Sequence, residues 1–437
     1  MINLGTLLLL TPNFCANASW ASNHLRSPEV TLMMKSPDKI EEVASQLLSA
    51  KGLKLVSYTT IQSLWAGYGH ICRLSAVPAS DSTAGLPKHD PISLILKYIS
   101  PPATNPNQPQ KEGHLRKILS YQIEQYFYTK LAPQMPKNIA VPECLSSIDD
   151  KKSNSNASTA MILTDLRHAF PVAGEKRAEL SETQVYATID WLASFHGFWW
   201  DKIKSLDRST LNLPPLQHFE ETNSMTARQG VWLNGGYTYL ATRRDEFDDL
   251  CFSGSEWAAA LCTRANDVKD GPSIAEIVAK SLSPSADGSK EGPISDYETL
   301  IHGDVKSENL FTTTNGDRVA FYDFQYVGLG LGVCDLAKLF TCSVPERMIE
   351  SPASKSMGMG PGEEKLLKRY RDKLTQASGK DYKWDVLVKH WERALVDWLR
   401  FQASWGFWGN TAWLEARVRH ILQDEEWKLW TESHRGL

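Results

Sequence analysis

The chain has no long apolar run, no strong excess of charge of one sign and no closely spaced cysteine pair, and each absence excludes a class of protein. No segment holds the roughly 20 apolar residues that a membrane-spanning helix requires. A formal net charge of −4 provides no basic surface for nucleic acid. The seven cysteines are scattered without CxxC spacing, which argues against a disulfide framework or a zinc site. We therefore expect a cytoplasmic protein with reduced thiols, and nothing in the sequence implies a protein partner.

The N-terminal segment raises the question of a targeting signal. Leu7–Leu10 is a short apolar run, and residues 16–18 resemble a cleavage site. However, no Lys or Arg precedes the apolar run, and Pro12 follows it closely. We expect a disordered leader over residues 1–35 or a translation start nearer Met33, with a targeting signal as the alternative.

Strand-like and helix-like patterns divide the chain into two parts. Three β-like runs are rich in branched and aromatic residues, at 55–65, 70–77 and 92–99. A predicted helix over about 115–131 and a further apolar strand over 160–166 follow them. The pattern of the remaining chain is mostly helical. We therefore predict an α+β fold, with a small antiparallel sheet lobe over residues 36–165 and a larger, mainly helical lobe over 166–437.

The most informative stretch is LIHGDVKSENLFTTTNGDRVAFYDFQ, residues 300–325. Asn315-Gly316 lies between two β-like runs, which is a strong signal for a hairpin. Because a hairpin brings its two ends together, we expect the Asn309 amide and the Asp323 carboxylate to converge at its base. Hard oxygen ligands beside a third acidic group suit magnesium.

These residue types fit the needs of phosphoryl transfer. The reaction requires a phosphate held in line with its acceptor and neutralisation of the phosphate charge. Asp304 would orient the acceptor hydroxyl and take its proton late. Asn309 and Asp323 would hold the metal ions that bridge the phosphates, and Lys306 would reach the γ-phosphate as a point charge.

The same stretch resembles a known family. HGDVKSEN followed by Asp-Phe resembles the catalytic loop and metal motif of the protein-kinase-like superfamily, and more closely its aminoglycoside-phosphotransferase and choline-kinase branch. HGD, then DFQ at 323–325 and CDLAKLF at 334–340, resembles the ecdysteroid-kinase-like (CHK-type) group. The resemblance runs in order from about Glu41 to about Trp408. It implies a two-lobed kinase-like fold, ATP and Mg²⁺ as cofactors, and a small-molecule alcohol as the acceptor.

The resemblance also assigns residues of the small lobe. Lys97 in ISLILKYI matches the strand lysine that grips the α- and β-phosphates. Glu124 matches the helix glutamate that pairs with that lysine. Gly67 and Gly69 stand where the phosphate-covering loop belongs, although Cys72 replaces a third glycine of the GxGxxG pattern.

Two further regions carry family positions. Leu163, Asp165 and Leu166 resemble the linker whose backbone meets adenine. Asp335 matches the aspartate that braces the catalytic loop. Only about ten residues separate Gln325 from Asp335, too few for the activation segment of a protein kinase, so a protein substrate is disfavoured.

The acceptor stays open among several classes. Tryptophans recur every seven residues on one predicted helix face, at Trp384, Trp391, Trp398 and Trp405. The stripe is either packed into the second lobe or, at its end with Trp408, walls a pocket for an apolar ring or a quaternary amine. The acidic run 245–249 is either a solvated helix face or a site for an aminoglycoside. We expect a kinase for a sterol-like or amino-alcohol hydroxyl. The alternatives are a catalytically silent nucleotide-binding scaffold and a choline or ethanolamine kinase.

Overall fold

The computed structural model describes residues 37–79, 90–102, 111–149, 159–264, 271–284, 296–350 and 352–434. The predicted leader over residues 1–35 lies outside these residues. Within the described ranges, none of the helices is both long enough and apolar enough to cross a membrane.

The strands fall into a five-stranded sheet and two smaller groups. They are β1 Leu53–Ser63, β2 Gly69–Pro78, β3 Ile92–Ile99, β4 Cys144–Asp149, β5 Thr159–Thr164, β6 Val172–Ala173, β7 Thr299–Ile301, β8 Leu310–Thr312, β9 Val319–Phe321 and β10 Gly328–Gly330. The five-stranded sheet has the order β1-β2-β3-β5-β4, and its neighbouring strands are antiparallel.

Most of the helices follow the sheet in the sequence. They are α1 Pro37–Ser49, α2 Glu112–Tyr126, α3 Glu182–Lys202, α4 Pro215–Thr222, α5 Arg244–Phe252, α6 Glu256–Leu261, α7 Ile274–Ser281, α8 Gly332–Cys342, α9 Glu346–Ile349, α10 Pro361–Ser378, α11 Trp384–Trp405, α12 Thr411–Gln423 and α13 Glu425–Ser433. The predicted helix over 115–131 corresponds to α2 and a wider helical turn, Phe127–Leu131, that continues it.

The two faces of the five-stranded sheet pack differently because side chains alternate along each strand. On one face, Leu74, Leu96 and Ile162 join residues of α1 in a separate small core. On the other face, Met161 and Leu163 join the large core that α2 shares with the second lobe. Lys97 lies on this second face, since its neighbours in β3 alternate with it. The sheet therefore points its one buried lysine toward the larger lobe.

The second lobe is built around long helices. A capping box between Ser181 and Gln184 starts α3, in which each residue bonds the backbone N–H of the other. Helix α11 buries Trp391 and Trp398, so most of the predicted tryptophan stripe is core. The acidic run lies on α5, where Asp245, Asp248 and Asp249 are exposed, as expected for a solvated helix face.

The predicted hairpin of the informative stretch is present as β8 and β9. Leu310 pairs with Phe321 and Thr312 with Val319. The connection is longer than a two-residue turn, because the Thr313 N–H donates to the Arg318 carbonyl at 3.1 Å. Of the expected Asn-Gly pair, only Gly316 has a positive φ, at 73°. The protein thus has an α+β fold, with a small antiparallel sheet lobe and a larger, mainly helical lobe.

Candidate active site

The predicted catalytic loop begins directly after β7 and is held by Asp335 in the first turn of α8. The Asp335 carboxylate accepts hydrogen bonds from the backbone N–H groups of His302 at 2.8 Å and Gly303 at 2.9 Å. His196 bonds the same carboxylate at 3.2 Å. Burial is the largest influence and acts to raise the pKa of Asp335, but the hydrogen bond from His196 and the nearby His196, His302 and Lys338 together outweigh it, so the pKa lies below its usual value. Asp335 therefore braces the loop as an ionised group, and it does not cap its helix.

His302 anchors the loop to the β8–β9 hairpin. Its Nδ1 accepts the Asp304 N–H at 3.2 Å, so its Nε2–H donates to the Tyr322 carbonyl at 2.9 Å. Burial lowers the pKa of His302, which favours the neutral ring that this pattern requires. The ring of His302 thus connects the loop to the hairpin.

Three predicted catalytic side chains meet in the loop. The Asp304 carboxylate lies 3.1 Å from the Lys306 ammonium and accepts a hydrogen bond from the Asn309 amide at 3.0 Å. Asn309 also donates to the Asp304 carbonyl at 2.8 Å. Burial acts to lower the pKa of Lys306, but Asp304 and Glu308 outweigh it and raise the pKa above its usual value. Lys306 is therefore a permanent cation beside Asp304.

The buried lysine of β3 joins the two lobes. Lys97 Nζ lies 2.5 Å from Glu124 on α2 and 3.2 Å from Asp323 after β9. Burial acts to lower the pKa of Lys97, but the two carboxylates outweigh it and raise the pKa. Burial also raises the pKa of Glu124, to about 7, against the opposing charge of Lys97. The predicted Lys97–Glu124 pair is formed, and Asp323 is the third member of its charge network.

Sequence reasoning missed the polar contacts that hold Asp323 on its other side. Gln325 Nε2 donates to Asp323 Oδ1 at 2.7 Å, and Ser120 on α2 donates to Gln325 Oε1 at 3.3 Å. The Trp232 indole donates to the Gln325 carbonyl at 2.8 Å. Asp323 itself has a positive φ of 65°, an uncommon conformation for a residue with a side chain. The signal for these contacts in the sequence was Gln325, the last residue of the DFQ triplet.

The predicted phosphate-covering glycines lie in the turn between β1 and β2. Gly69 has φ 142°, and a Cβ there would stand 2.0 Å from the Tyr98 carbonyl. Tyr68 between the glycines is buried and hydrogen-bonds His114 on α2. The turn is therefore packed onto β3 and α2. Cys72, at the place of the third glycine, points into the small core of the sheet.

The predicted adenine-linker residues occupy different environments. Leu163 is buried in β5, and Leu166 is half-buried in the helical turn that follows the strand. Asp165 accepts hydrogen bonds from Ser93 at 2.7 Å and from Arg73 at 3.0 Å. The Asp165 side chain thus ties the linker to the sheet.

A cavity of about 250 Å³ opens beside the catalytic loop. Asp304 and Lys306 line it together with Tyr237, Trp398, Trp405 and Trp408. The middle of the tryptophan stripe is therefore core, and its end lies at the wall of this cavity. The prediction that Trp408 continues the helix is wrong, because α11 ends at Trp405.

The residues at the hairpin base fit a divalent cation. The Asn309 amide nitrogen is used on Asp304, which leaves its carbonyl oxygen as the donor. Lys97 and Gln325 both bond Asp323 Oδ1, which leaves Oδ2. Asn309 and Asp323 are close in the hairpin, because the Tyr322 N–H donates to the Asn309 carbonyl at 3.0 Å. In the described ranges no three His, Cys, Asp or Glu side chains form a metal cluster. A cation here would therefore depend on amide and phosphate oxygens as well.

A comparison with models of protein families identifies the family of the chain. The model of the APH phosphotransferase enzyme family matches residues 111–355, more than half of the chain. The chain therefore belongs to this family of phosphotransferases. No curated protein matches the chain.

Several solved structures are similar at low identity. A macrolide 2′-phosphotransferase from Brachybacterium faecium is 14% identical with a TM-score of 0.38, over 84% of this chain and 92% of that one. A choline kinase from Cryptosporidium parvum is 9% identical with a TM-score of 0.39, over 92% and 96%. An ethanolamine kinase from Plasmodium vivax is 12% identical with a TM-score of 0.34, over 84% and 82%. Such distant likenesses say nothing about the acceptor of this chain.

Proposed function

We propose that the protein is an ATP-dependent phosphotransferase that moves the γ-phosphate to a hydroxyl of a small molecule. One observation carries the proposal. Asp304 and Lys306 line a cavity, and Asp304 is hydrogen-bonded to Asn309. Asn309 lies at the base of the hairpin whose other end bears Asp323. These residues are of the types that would supply a base, a phosphate-binding cation and two oxygen ligands for a metal.

The small lobe would hold the nucleotide. Lys97 would bind the α- and β-phosphates, and Glu124 fixes the direction in which its ammonium points. The turn with Gly67 and Gly69 would cover the phosphates. The segment from Leu163 to Leu166 would offer its backbone to adenine. Assigning the nucleotide to the small lobe agrees with a lobe boundary at 165/166, which we retain as a proposal. We also retain the resemblance to the CHK-type group as a proposal.

The catalytic loop would perform the transfer. Mg²⁺ held by Asn309 and Asp323 would neutralise the phosphate charge and fix the phosphate geometry. Asp304, oriented by Asn309 and Lys306, would hold the acceptor hydroxyl and receive its proton as the new P–O bond forms. Lys306 would contact the γ-phosphate. The positions of these side chains favour an enzyme over the alternative of a silent scaffold.

The acceptor would be a small molecule and not a peptide. Helix α8 starts at Gly332, seven residues after Gln325, so no long segment is present there to form a peptide platform. The cavity beside Asp304 is closed on one side by aromatic side chains, including Trp398 and Trp405. Such walls suit a ring or a compact alcohol.

The test is a transfer screen with Mg·ATP against sterols, amino alcohols, aminoglycosides and nucleosides, with Asp323→Ala as the blank. Asp304→Ala is expected to lower turnover by at least about 10²-fold, because it removes the base, and to leave Mg·ATP binding near normal. Asp317→Ala, which changes an exposed carboxylate in the hairpin turn, is the matched control. Unchanged turnover in Asp304→Ala would remove the assigned base, and nucleotide binding without any transfer would favour the silent scaffold.

A further inference from the structure

The charged residues that line the acceptor cavity are mostly cations. The carboxylates are those of Asp304 and Glu308, and the cations are Lys176, Arg177, Lys306 and Lys338. A pocket for a cationic amino alcohol or an aminoglycoside would need the opposite balance, because an ammonium group must be matched by carboxylates when it leaves water. The excess of cations in the cavity wall therefore argues against a cationic acceptor.

Neither carboxylate of the wall is left for a cationic ligand. Asp304 lies 3.1 Å from Lys306 and also accepts the Asn309 amide. Glu308 lies 3.7 Å from the same ammonium and accepts the backbone N–H of Arg177 at 3.3 Å. The two carboxylates thus share the single ammonium of Lys306, and each accepts a further hydrogen bond within the protein. Asp397, which lines the adjoining cavity, is likewise engaged by Arg400 at 2.8 Å.

The aromatic walls are already paired with the protein's own cations. The Arg243 guanidinium lies 4.8 Å from the ring centroid of Tyr237 and 5.5 Å from that of Trp405. Lys338 Nζ lies 5.9 Å from the ring centroid of Trp398. A quaternary amine would gain less binding free energy from these rings, because they already contact cations of the protein. The same cations would repel it. The rings remain suited to a flat apolar body.

Two cations of the wall lie on a turn that is fixed to the catalytic loop. The Ala178 N–H donates to the Glu175 carbonyl at 3.2 Å and closes the turn. Ser307 of the catalytic loop donates to the same carbonyl at 2.7 Å, and Arg177 adopts a positive φ of 59°. The turn therefore holds Lys176 and Arg177 at the cavity. Across the parts of the chain that the structure describes, neither side chain has an ion-pair partner.

We propose that Lys176 and Arg177 recognise an anionic group of the acceptor. The acceptor would then be a hydroxyl compound with a flat apolar ring and an acid group, and cationic alcohols would be disfavoured. This inference rests on the proposed function, because it assigns the substrate class of the same cavity. The anion could also be a phosphate of ATP, and the experiment separates these two sources.

The test uses three probes that share one hydroxynaphthyl ring and carry a negative, a neutral or a positive group at the same position: 6-hydroxy-2-naphthoate, its methyl ester and its choline ester. Their binding to the full chain in the presence of Mg²⁺ and a non-hydrolysable ATP analogue is measured by calorimetry. We expect the anion to bind at least about tenfold more tightly than the cation, with the neutral ester between them. Binding of the cation as tight as or tighter than that of the anion, or no binding of any probe, would overturn the proposal.

The double variant Lys176→Glu/Arg177→Glu assigns the effect to the turn. It is expected to weaken binding of the naphthoate by about tenfold or more and to change binding of the methyl ester little. Lys51→Glu/Lys54→Glu, which reverses two exposed lysines of the small lobe, is the matched control. If the first variant weakens Mg·ATP instead and leaves the naphthoate unchanged, the turn serves the nucleotide and the proposal fails. None of these binding measurements requires phosphate transfer. A failure of the proposal for an anionic acceptor is therefore distinguishable from a failure of the proposed function.

Discussion

Gln325 is the residue that connects the proposed metal ligand to the helix of the small lobe. Its amide nitrogen bonds Asp323 Oδ1, and its amide oxygen accepts the hydroxyl of Ser120 on α2. Lys97 bonds the same oxygen of Asp323 from the other side. Two donors on Oδ1 leave Oδ2 for the cation, so Gln325 positions the carboxylate without touching the substrate.

Replacing Gln325 should therefore weaken the use of the metal. Gln325→Ala is expected to lower kcat/KM for Mg·ATP by about tenfold and to raise the Mg²⁺ concentration needed for half-maximal rate, because Asp323 loses a hydrogen bond to a charged group. Ser120→Ala should have a smaller effect in the same direction. Gln134→Ala, at an exposed glutamine, is the control. An unchanged Mg²⁺ requirement in Gln325→Ala would show that the amide does not position Asp323.

Sequence reasoning succeeded at the residue scale where a short motif brings its own members together. Asp304 and Asn309 are five residues apart, and the hairpin carries Asp323 back toward them. It failed for contacts that depend on how distant elements pack. The Ser120–Gln325 bond spans 205 positions, and the bonds that occupy Asp165 come from two strands of the sheet. No local pattern predicts such contacts.

At the scale of elements, the end of α11 determines the shape of the acceptor cavity. The seven-residue spacing predicted that Trp408 lies on the helix, but Gly406 has φ 135° and the chain turns away. Glycine directly after a helix is a common stop signal, so the sequence did contain the information. Beyond the stop, Asn410 donates to the Phe340 and Val344 carbonyls at 2.8 Å and 2.7 Å and fixes the segment on α8.

Gly409 allows this close approach, so a side chain there should open the cavity wall. It has φ 78°, and a Cβ would stand 2.0 Å from the Thr341 carbonyl. Gly409→Ala is expected to cost about 2 kcal/mol or more of unfolding free energy and to raise KM for the acceptor more than KM for Mg·ATP. Gly254→Ala is the matched control, since it has φ 66° with nothing near its Cβ. Equal costs in the two variants would contradict a role for the contact with Thr341.

At the scale of the whole molecule, the lobes share apolar packing and one buried charge network. The large core continues from the second lobe through α2 to Met161 and Leu163 of the sheet. Lys97 is the cation that compensates Glu124 and Asp323 at this junction. The general architecture followed from the order of strands and helices in the sequence. Strand β4 did not, because its sequence CLSSID has few of the branched and aromatic residues that make a strand signal.

Removal of Lys97 should change the pH dependence of stability in a defined direction. Burial raises the pKa of Glu124 to about 7 in the intact protein, so the folded state holds a proton that the unfolded state releases. The contribution of Glu124 to the stability of the intact protein therefore falls from the ordinary pKa of a glutamate, about 4.3, until pH 7 and then levels off. In Lys97→Met the opposing cation is gone and the pKa of Glu124 rises further, so stability continues to fall above pH 7. Above pH 7, the difference in unfolding free energy between the intact protein and Lys97→Met should grow by up to about 1.4 kcal/mol per pH unit.

Urea unfolding of both proteins at pH 6 and pH 8.5 measures this difference in unfolding free energy directly. Lys97→Met/Glu124→Gln removes the carboxylate that titrates, so most of the widening should disappear in the double variant. The remainder would belong to Asp323, whose pKa Lys97 also holds down against burial. Mg·ATP should stabilise the intact protein by mass action and Lys97→Met much less, because the variant lacks the proposed phosphate contact. Parallel curves for the intact protein and Lys97→Met from pH 6 to 8.5 would mean that Lys97 does not compensate Glu124, and the junction between the lobes would need another source of charge balance.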